Sequence, residues 1–267
     1  MLSPPPSSIA SSNAVSNLPH PRNTPLKSGG NKESAFIRHV DSQILQVQRR
    51  FAKRTTPSVD GVDEGTSTQP KAEPWPGDVK GYSSMRHACK DIEKLVDVVW
   101  VSGTPSLQIP YLISLALLLS TIVSGMPPTP KSLFRVLGKL DRAFASLLQG
   151  RDVDTGEMLP GFESRRGVSG TEKVRIRSLV ERTRISVMEA FKTGEFEYED
   201  PEHEAETDRM DIDGELVLEG DALEDDEDEE SWDMQLARVY DLTVVELGDE
   251  IGPSIGIVTE GRRYENN

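Results

Sequence analysis

Asp97–Gly150 reads DVVWVSGTPSLQIPYLISLALLLSTIVSGMPPTPKSLFRVLGKLDRAFASLLQG, and the fold turns on how its glycines and prolines divide it. Gly103, Thr104 and Pro105 close a helix that ends at Trp100. Pro110 then sits where the first turn of a helix accepts a residue without an N–H, so the spacing predicts an apolar helix over Tyr111–Val123, stopped by Gly125, Pro127 and Pro128. Thr129 as cap and Pro130 at the first helical position open the next helix. Its stripe is Leu133, Phe134, Leu137, Leu140, Phe144, Leu147 and Leu148; Lys131, Arg135, Lys139 and Arg142 take the other side, and Gly150 closes it.

The span from Val98 to Pro130 carries no charge and is long enough to be tested as a membrane segment. Thirteen residues from Tyr111 to Val123 make about 20 Å of helix against a hydrocarbon core of about 30 Å. Two helices of a buried core are therefore expected, with no stable membrane span. Leu112, Leu115, Leu118, Leu119 and Ile122 should pack against Leu133, Leu137, Leu140 and Phe144.

Upstream, Ser83 or Ser84 can cap a helix running through Met85, Ala88, Ile92, Leu95, Val96 and Val99 to Trp100. Residues 55–81 lack a period and read as a linker, in which Trp75 stands between Pro74 and Pro76. Residues 33–54 form another amphipathic helix through Phe36, Val40, Ile44, Val47 and Phe51. Its basic end, Arg49, Arg50, Lys53 and Arg54, suits the negative pole of the helix dipole or a phosphate. Residues 1–32 are rich in Ser, Pro, Asn and Gly and read as disordered.

Downstream, a polar loop leads to a helix over Thr171–Phe191, with Val174, Leu179, Val180, Val187, Met188 and Phe191 as its inner side. Residues 82–193 make up the bundle core. Residues 194–230 read as acidic and disordered, with one apolar interruption, GELVLEG. Residues 231–250 read as a C-terminal helix capped by Ser231, although Thr243, Val244 and Val245 weaken its second half. Residues 251–267 are a tail.

The totals agree with one modest all-α core of about five to six helices: 267 residues, 36% hydrophobic, with 18 Pro and 21 Gly. The net charge of −15 is local. Twenty of the 45 acidic residues lie between Glu195 and Glu230 beside a single base, Arg209, so that segment carries −19 and the remainder +4. A single cysteine, Cys89, excludes an intramolecular disulfide and points to a reducing compartment, nucleus or cytoplasm. The first thirty residues hold no apolar block of signal-peptide length, so secretion is not expected.

The motifs argue against catalysis and cofactors. There is no GxxxxGK[ST] phosphate loop, no GxSxG elbow and no HExxH pair. His87 and Cys89 stand two apart on a helix and cannot share a face. RMDIDGELVLEG resembles a calcium loop, but Arg209 and Gly220 occupy the positions of its first carboxylate and its bidentate glutamate, so no metal site is expected. Arg165, Arg166, Lys173, Arg175, Arg177, Arg182 and Arg184 could follow a phosphate backbone, form a solvated face, or be neutralised by the chain's own acidic segment. That segment could in turn mimic nucleic acid, bind a basic protein or act as a linker.

At LVDVVWVSGTPSLQIPYLISLALLL, KLDRAFASLLQG and RVYDLTVVELGD the sequence resembles a little-characterised family of filamentous fungi often labelled as meiotic recombination proteins. Recombinases of that name need a phosphate loop, so the resemblance implies an accessory role rather than an ATPase. The expected function is a non-enzymatic adaptor that docks a protein partner on apolar helix surface. Trp232, Leu236, Val239, Tyr240 and Leu247 either form that docking element or pack back on the bundle. The alternatives are a nuclear, nucleic-acid-associated accessory factor using Lys173–Arg184, and a peripheral membrane adaptor.

Overall fold

A computed structural model describes residues 18–54, 79–162, 167–194, 196–197 and 232–249. Among these the chain is an all-α bundle of five long helices and two short ones: α1 (Asn31–Ala52), α2 (Met85–Val101), α3 (Pro105–Val123), α4 (Pro130–Gln149), α5 (Gly170–Lys192), α6 (Trp232–Ala237) and α7 (Asp241–Asp249). Arg165, Arg166, Trp75, Ser231, the 55–78 stretch of the expected linker, most of the acidic segment and the tail lie outside the described residues.

The core is built where the periodicity put it. Leu112, Leu115, Leu118, Leu119 and Ile122 of α3 and Leu133, Leu137, Leu140 and Phe144 of α4 are all buried in one cluster with Ile92, Val96 and Trp100 of α2. Each such side chain contributes about 1.5–3 kcal/mol on leaving water. Ser84 caps α2, accepting from the Arg86 N–H at 3.1 Å. Gly150 closes α4 with φ 70°, and its α-carbon lies so close under Phe162 that an added methyl would stand 3.0 Å from the ring.

The start of α3 differs from the expectation. The helix begins at Pro105, not after Pro110, so Pro110 lies inside it. Pro110 lies on the narrow exposed strip of α3 with Ser106 and Ser114, so the residue whose carbonyl loses its N–H partner to the ring is on the solvent side of the helix. At 19 residues the helix is about 28 Å long, and it is long and apolar enough to cross a membrane by length and composition. The length argument therefore fails; what places α3 in the bundle is that 61% of its apolar window is buried against the other helices.

The N-terminal segment corrects a second expectation. Residues 18–30 fall within the stretch whose composition predicts disorder, but they lie as a strap across the turn between α2 and α3. The Arg22 N–H donates to the Val101 carbonyl at 3.2 Å and the Leu26 N–H to the Thr104 hydroxyl at 2.8 Å, while Leu18 packs on the core. Helix ends leave orphan carbonyls, and an extended strap satisfies one of them.

The basic end of α1 works as a clamp. Arg50 pairs with Asp91 at 2.5 Å and lies 4.2 Å over the Tyr82 ring, whose hydroxyl donates to the same Asp91 at 2.7 Å. Burial, followed by that hydrogen bond, holds the Tyr82 hydroxyl far above its usual pKa. Arg54 donates to the Gly125 carbonyl at the end of α3 at 2.9 Å. Gly81 lets the chain pass under α1: a methyl there would stand 1.9 Å from the Lys53 carbonyl oxygen.

Between α2 and α4, Lys139 is 5% exposed and pairs with Glu93 at 3.0 Å and Asp97 at 2.8 Å, with Arg135 on Glu93 at 2.9 Å. A residue expected on the solvent side is thus inside, its charge matched within hydrogen-bond distance.

α5 begins one residue before the expected Thr171 because Ser169 and Glu172 form a capping box. Its inner face is Ile176, Leu179, Val180, Thr183 and Val187. Val174 and Met188, expected inside, are 68% and 51% exposed.

Candidate partner-docking surfaces

The expected single C-terminal helix is two helices, broken at Tyr240, the one non-glycine residue with positive φ (60°) among the described residues. The break lets each half meet a different neighbour. α6 lays Trp232 on Phe134 of α4 in a stack of 5.9 Å and 12°, and Phe134 meets Phe191 of α5 at 5.3 Å. α7 ends up over α4, where the side chain of Asp141 caps it from another helix. The Leu242 N–H donates to one carboxylate oxygen at 3.1 Å; the Thr243 N–H and hydroxyl donate to the other at 2.7 and 2.6 Å. Sequence reading missed this cap because the acceptor stands a hundred residues from the helix it serves.

Burial sorts the five candidate docking residues. Val239, Tyr240 and Leu247 are 4%, 1% and 6% exposed and belong to the core, so a partner reaching them would first have to lift α6 and α7. Trp232 and Leu236 are half-buried. The outer side of the pair instead presents Met234, Leu242, Val244 and Val245, which are 39–57% exposed. The Tyr240 hydroxyl is buried with no hydrogen-bond partner, and burial raises its pKa far above the usual tyrosine value.

The acidic segment is anchored at its start, contrary to the expectation of disorder from residue 194. Glu197 reaches the N-termini of two helices, accepting from the Ser84 hydroxyl at 2.7 Å, the Met85 N–H at 3.2 Å and the Thr129 hydroxyl at 3.3 Å. Its own N–H donates to the Pro128 carbonyl at 3.1 Å. A carboxylate between two positive helix ends is favoured by both dipoles. Phe196 beside it meets Phe191 at 5.1 Å.

The basic candidates do not form one patch. Arg175, Arg177 and Arg182 are exposed and Lys173 and Arg184 half-buried; Arg177 pairs with Glu181 at 3.4 Å, and Arg184 donates to the Ala237 carbonyl at 3.1 Å, near Asp241 at 3.7 Å. Part of the row thus holds α6 and α7 in place. Cys89 is fully buried, and burial together with Arg50 and Arg86 lowers the pKa of His87. No cluster of three or more metal-ligating side chains occurs among the described residues.

The described residues thus form an all-α bundle with apolar and charged side chains on its outer helix faces. Residues 81–248 match the family described as subunit 11 of the general transcription factor TFIIH, and the chain belongs to that family. It is similar to the general transcription and DNA repair factor IIH subunit TFB6 of Saccharomyces cerevisiae, at 26% identity over 211 residues, covering 62% of this chain and 54% of the yeast protein. The chain thus spans about half the length of that relative. No solved structure matches. The match corrects the resemblance to meiotic recombination proteins: the same helices, from the turn before α2 through α7, are those of a transcription-factor subunit family.

Proposed function

We propose that this protein is a non-enzymatic nuclear subunit of a TFIIH-type transcription and repair assembly, and that it docks another subunit of that assembly on the outer side of α6 and α7. The observation that carries the reading is the extent of the family match. It begins at Gly81, under α1, and ends at Gly248 in α7, so it takes in the bundle core together with the C-terminal pair. Supporting it, two short helices expose Met234, Leu242, Val244 and Val245, with Trp232 and Leu236 half-buried beside them. Large apolar side chains left exposed on a short helix pair suit an association site.

The test is to tag the full chain at its own locus, fractionate nuclear extract and purify through a different TFIIH subunit. The wild-type chain is expected to co-purify in near-stoichiometric amount, and Leu242→Asp with Val245→Asp to be lost from the assembly at unchanged melting temperature. Fractionation of the wild-type chain apart from every TFIIH subunit at low salt would overturn the assignment.

A further inference from the structure

The outward face of α5 presents apolar side chains between two rows of positive charge. Val174, Ile185 and Met188 are 68%, 58% and 51% exposed. At about 100° per residue they fall within about 60° of one another around the helix axis. The same geometry sets Arg175 and Arg182 along one side of this strip and Lys173, Arg177 and Arg184 along the other, with Glu181 between Val174 and Met188, where it pairs with Arg177 at 3.4 Å, and Glu189 beside Arg182. α5 holds six basic and three acidic residues, a net +3, while the segment that follows it carries −19.

One stretch of that segment matches the face in both respects. Asp211–Asp221 reads DIDGELVLEGD, in which Leu216, Val217 and Leu218 are flanked by five carboxylates and no base. The chain is also held at both ends of the excursion near the C-terminal end of α5. Phe196 meets Phe191 at 5.1 Å, and Trp232 stacks on Phe134, which meets the same Phe191 at 5.3 Å. From Phe191 back to Val174 is about 26 Å along the helix. The 14 residues from Leu218 to Trp232 reach about 45 Å extended, so the stretch reaches the whole strip from either tether.

We propose that Asp211–Asp221 of this chain docks on the outward face of α5, with Leu216–Leu218 on Ile185 and Met188 and the flanking carboxylates on Arg175 and Arg182. The protein thereby covers its own basic surface, and any other anionic ligand must displace an internal competitor. A tether of this length holds the segment at an effective concentration of about 1 mM. If the free segment binds with a dissociation constant of about 100 µM, the internal copy weakens an external one about tenfold. The proposal stands apart from the assignment of α6 and α7, since neither the face nor its occupant belongs to that surface.

A labelled peptide of residues 208–223 is titrated by fluorescence anisotropy against three full-length proteins: wild type, a chain with residues 198–230 replaced by a Gly/Ser linker of equal length, and Leu216→Ser with Val217→Ser and Leu218→Ser. The linker and triple-serine chains should bind the peptide about tenfold more tightly than wild type, and binding should weaken with salt. Adding Arg175→Glu and Arg182→Glu, or Ile185→Asp, to the linker chain should abolish it while circular dichroism and melting stay unchanged. Equal affinity for wild type and linker chain, or no binding to either variant, would overturn the proposal. So would binding of a labelled DNA duplex with equal affinity to the wild-type and linker chains, which would show that no internal competitor covers the face.

Discussion

Replacing Asp141 by alanine should release α7 from the bundle. The change removes the acceptor of three donors, the Leu242 N–H, the Thr243 N–H and the Thr243 hydroxyl, and Thr243 has no solvent exposure to compensate. Loss of a helix cap costs about 1 kcal/mol, and a buried donor left without an acceptor about 1–3 kcal/mol. The hydroxyl can still turn to the Asp141 carbonyl, 3.2 Å away. The sum is therefore about 2–4 kcal/mol, or about 4–16 °C in melting temperature for a domain of this size. Asp141→Asn keeps one acceptor oxygen and should cost less than about 1 kcal/mol.

Wild type also separates from both variants by pH. Burial raises the Asp141 carboxyl above its ordinary 3.8, outweighing the hydrogen bonds from Thr243 and Leu242 that favour the charged form. A group with a raised folded pKa contributes its full stability below the unfolded value and loses it as pH climbs through the folded value. Wild type should therefore lose stability relative to Asp141→Asn as the pH rises from 4 towards 7. Urea unfolding monitored by tryptophan fluorescence, which includes Trp232 on its Phe134 stack, measures the global change. Hydrogen exchange of the α7 amides measures local release. An alanine variant within about 0.5 kcal/mol of wild type, with α7 amides still protected, would refute the trans-cap.

Tyr240→Phe removes a buried hydroxyl that has no partner and should leave stability unchanged or raise it by up to about 1 kcal/mol in urea titration; a loss above that would mean the hydroxyl is bonded. Gly81→Ala places a methyl 1.9 Å from the Lys53 carbonyl oxygen and should cost about 1–3 kcal/mol, seen as early proteolysis of α1. Glu197→Ala frees the Ser84, Met85 and Thr129 donors and should cost about 1–2 kcal/mol by thermal melting, whereas Glu197→Gln should recover about half.

How far the sequence reached can be seen in α5. Its helical extent was legible within a residue or two, and SGTE at Ser169–Glu172 is a capping-box pattern that marks the true start. Its inner face was not. The helix carries one apolar stripe through Ile176, Leu179, Val180 and Val187 and another through Val174, Ile185 and Met188, and periodicity alone ranks them equally. The same limit applied to Lys139, whose place on a charged row gave no sign that Glu93 and Asp97 would surround it.

Sequence by itself determined the all-α class, the position of most helices and the burial of the α3 and α4 leucines, because periods, caps and breakers act between residues no more than about four apart. Only tertiary structure decided that Pro110 sits inside a helix, that Glu197 bridges two helix ends, that Asp141 caps α7 and that Val239, Tyr240 and Leu247 turn inward. Each of these joins groups distant in sequence, or depends on which side of a helix faces water. Such pairings are chosen by the packing of the whole core, which no local pattern encodes.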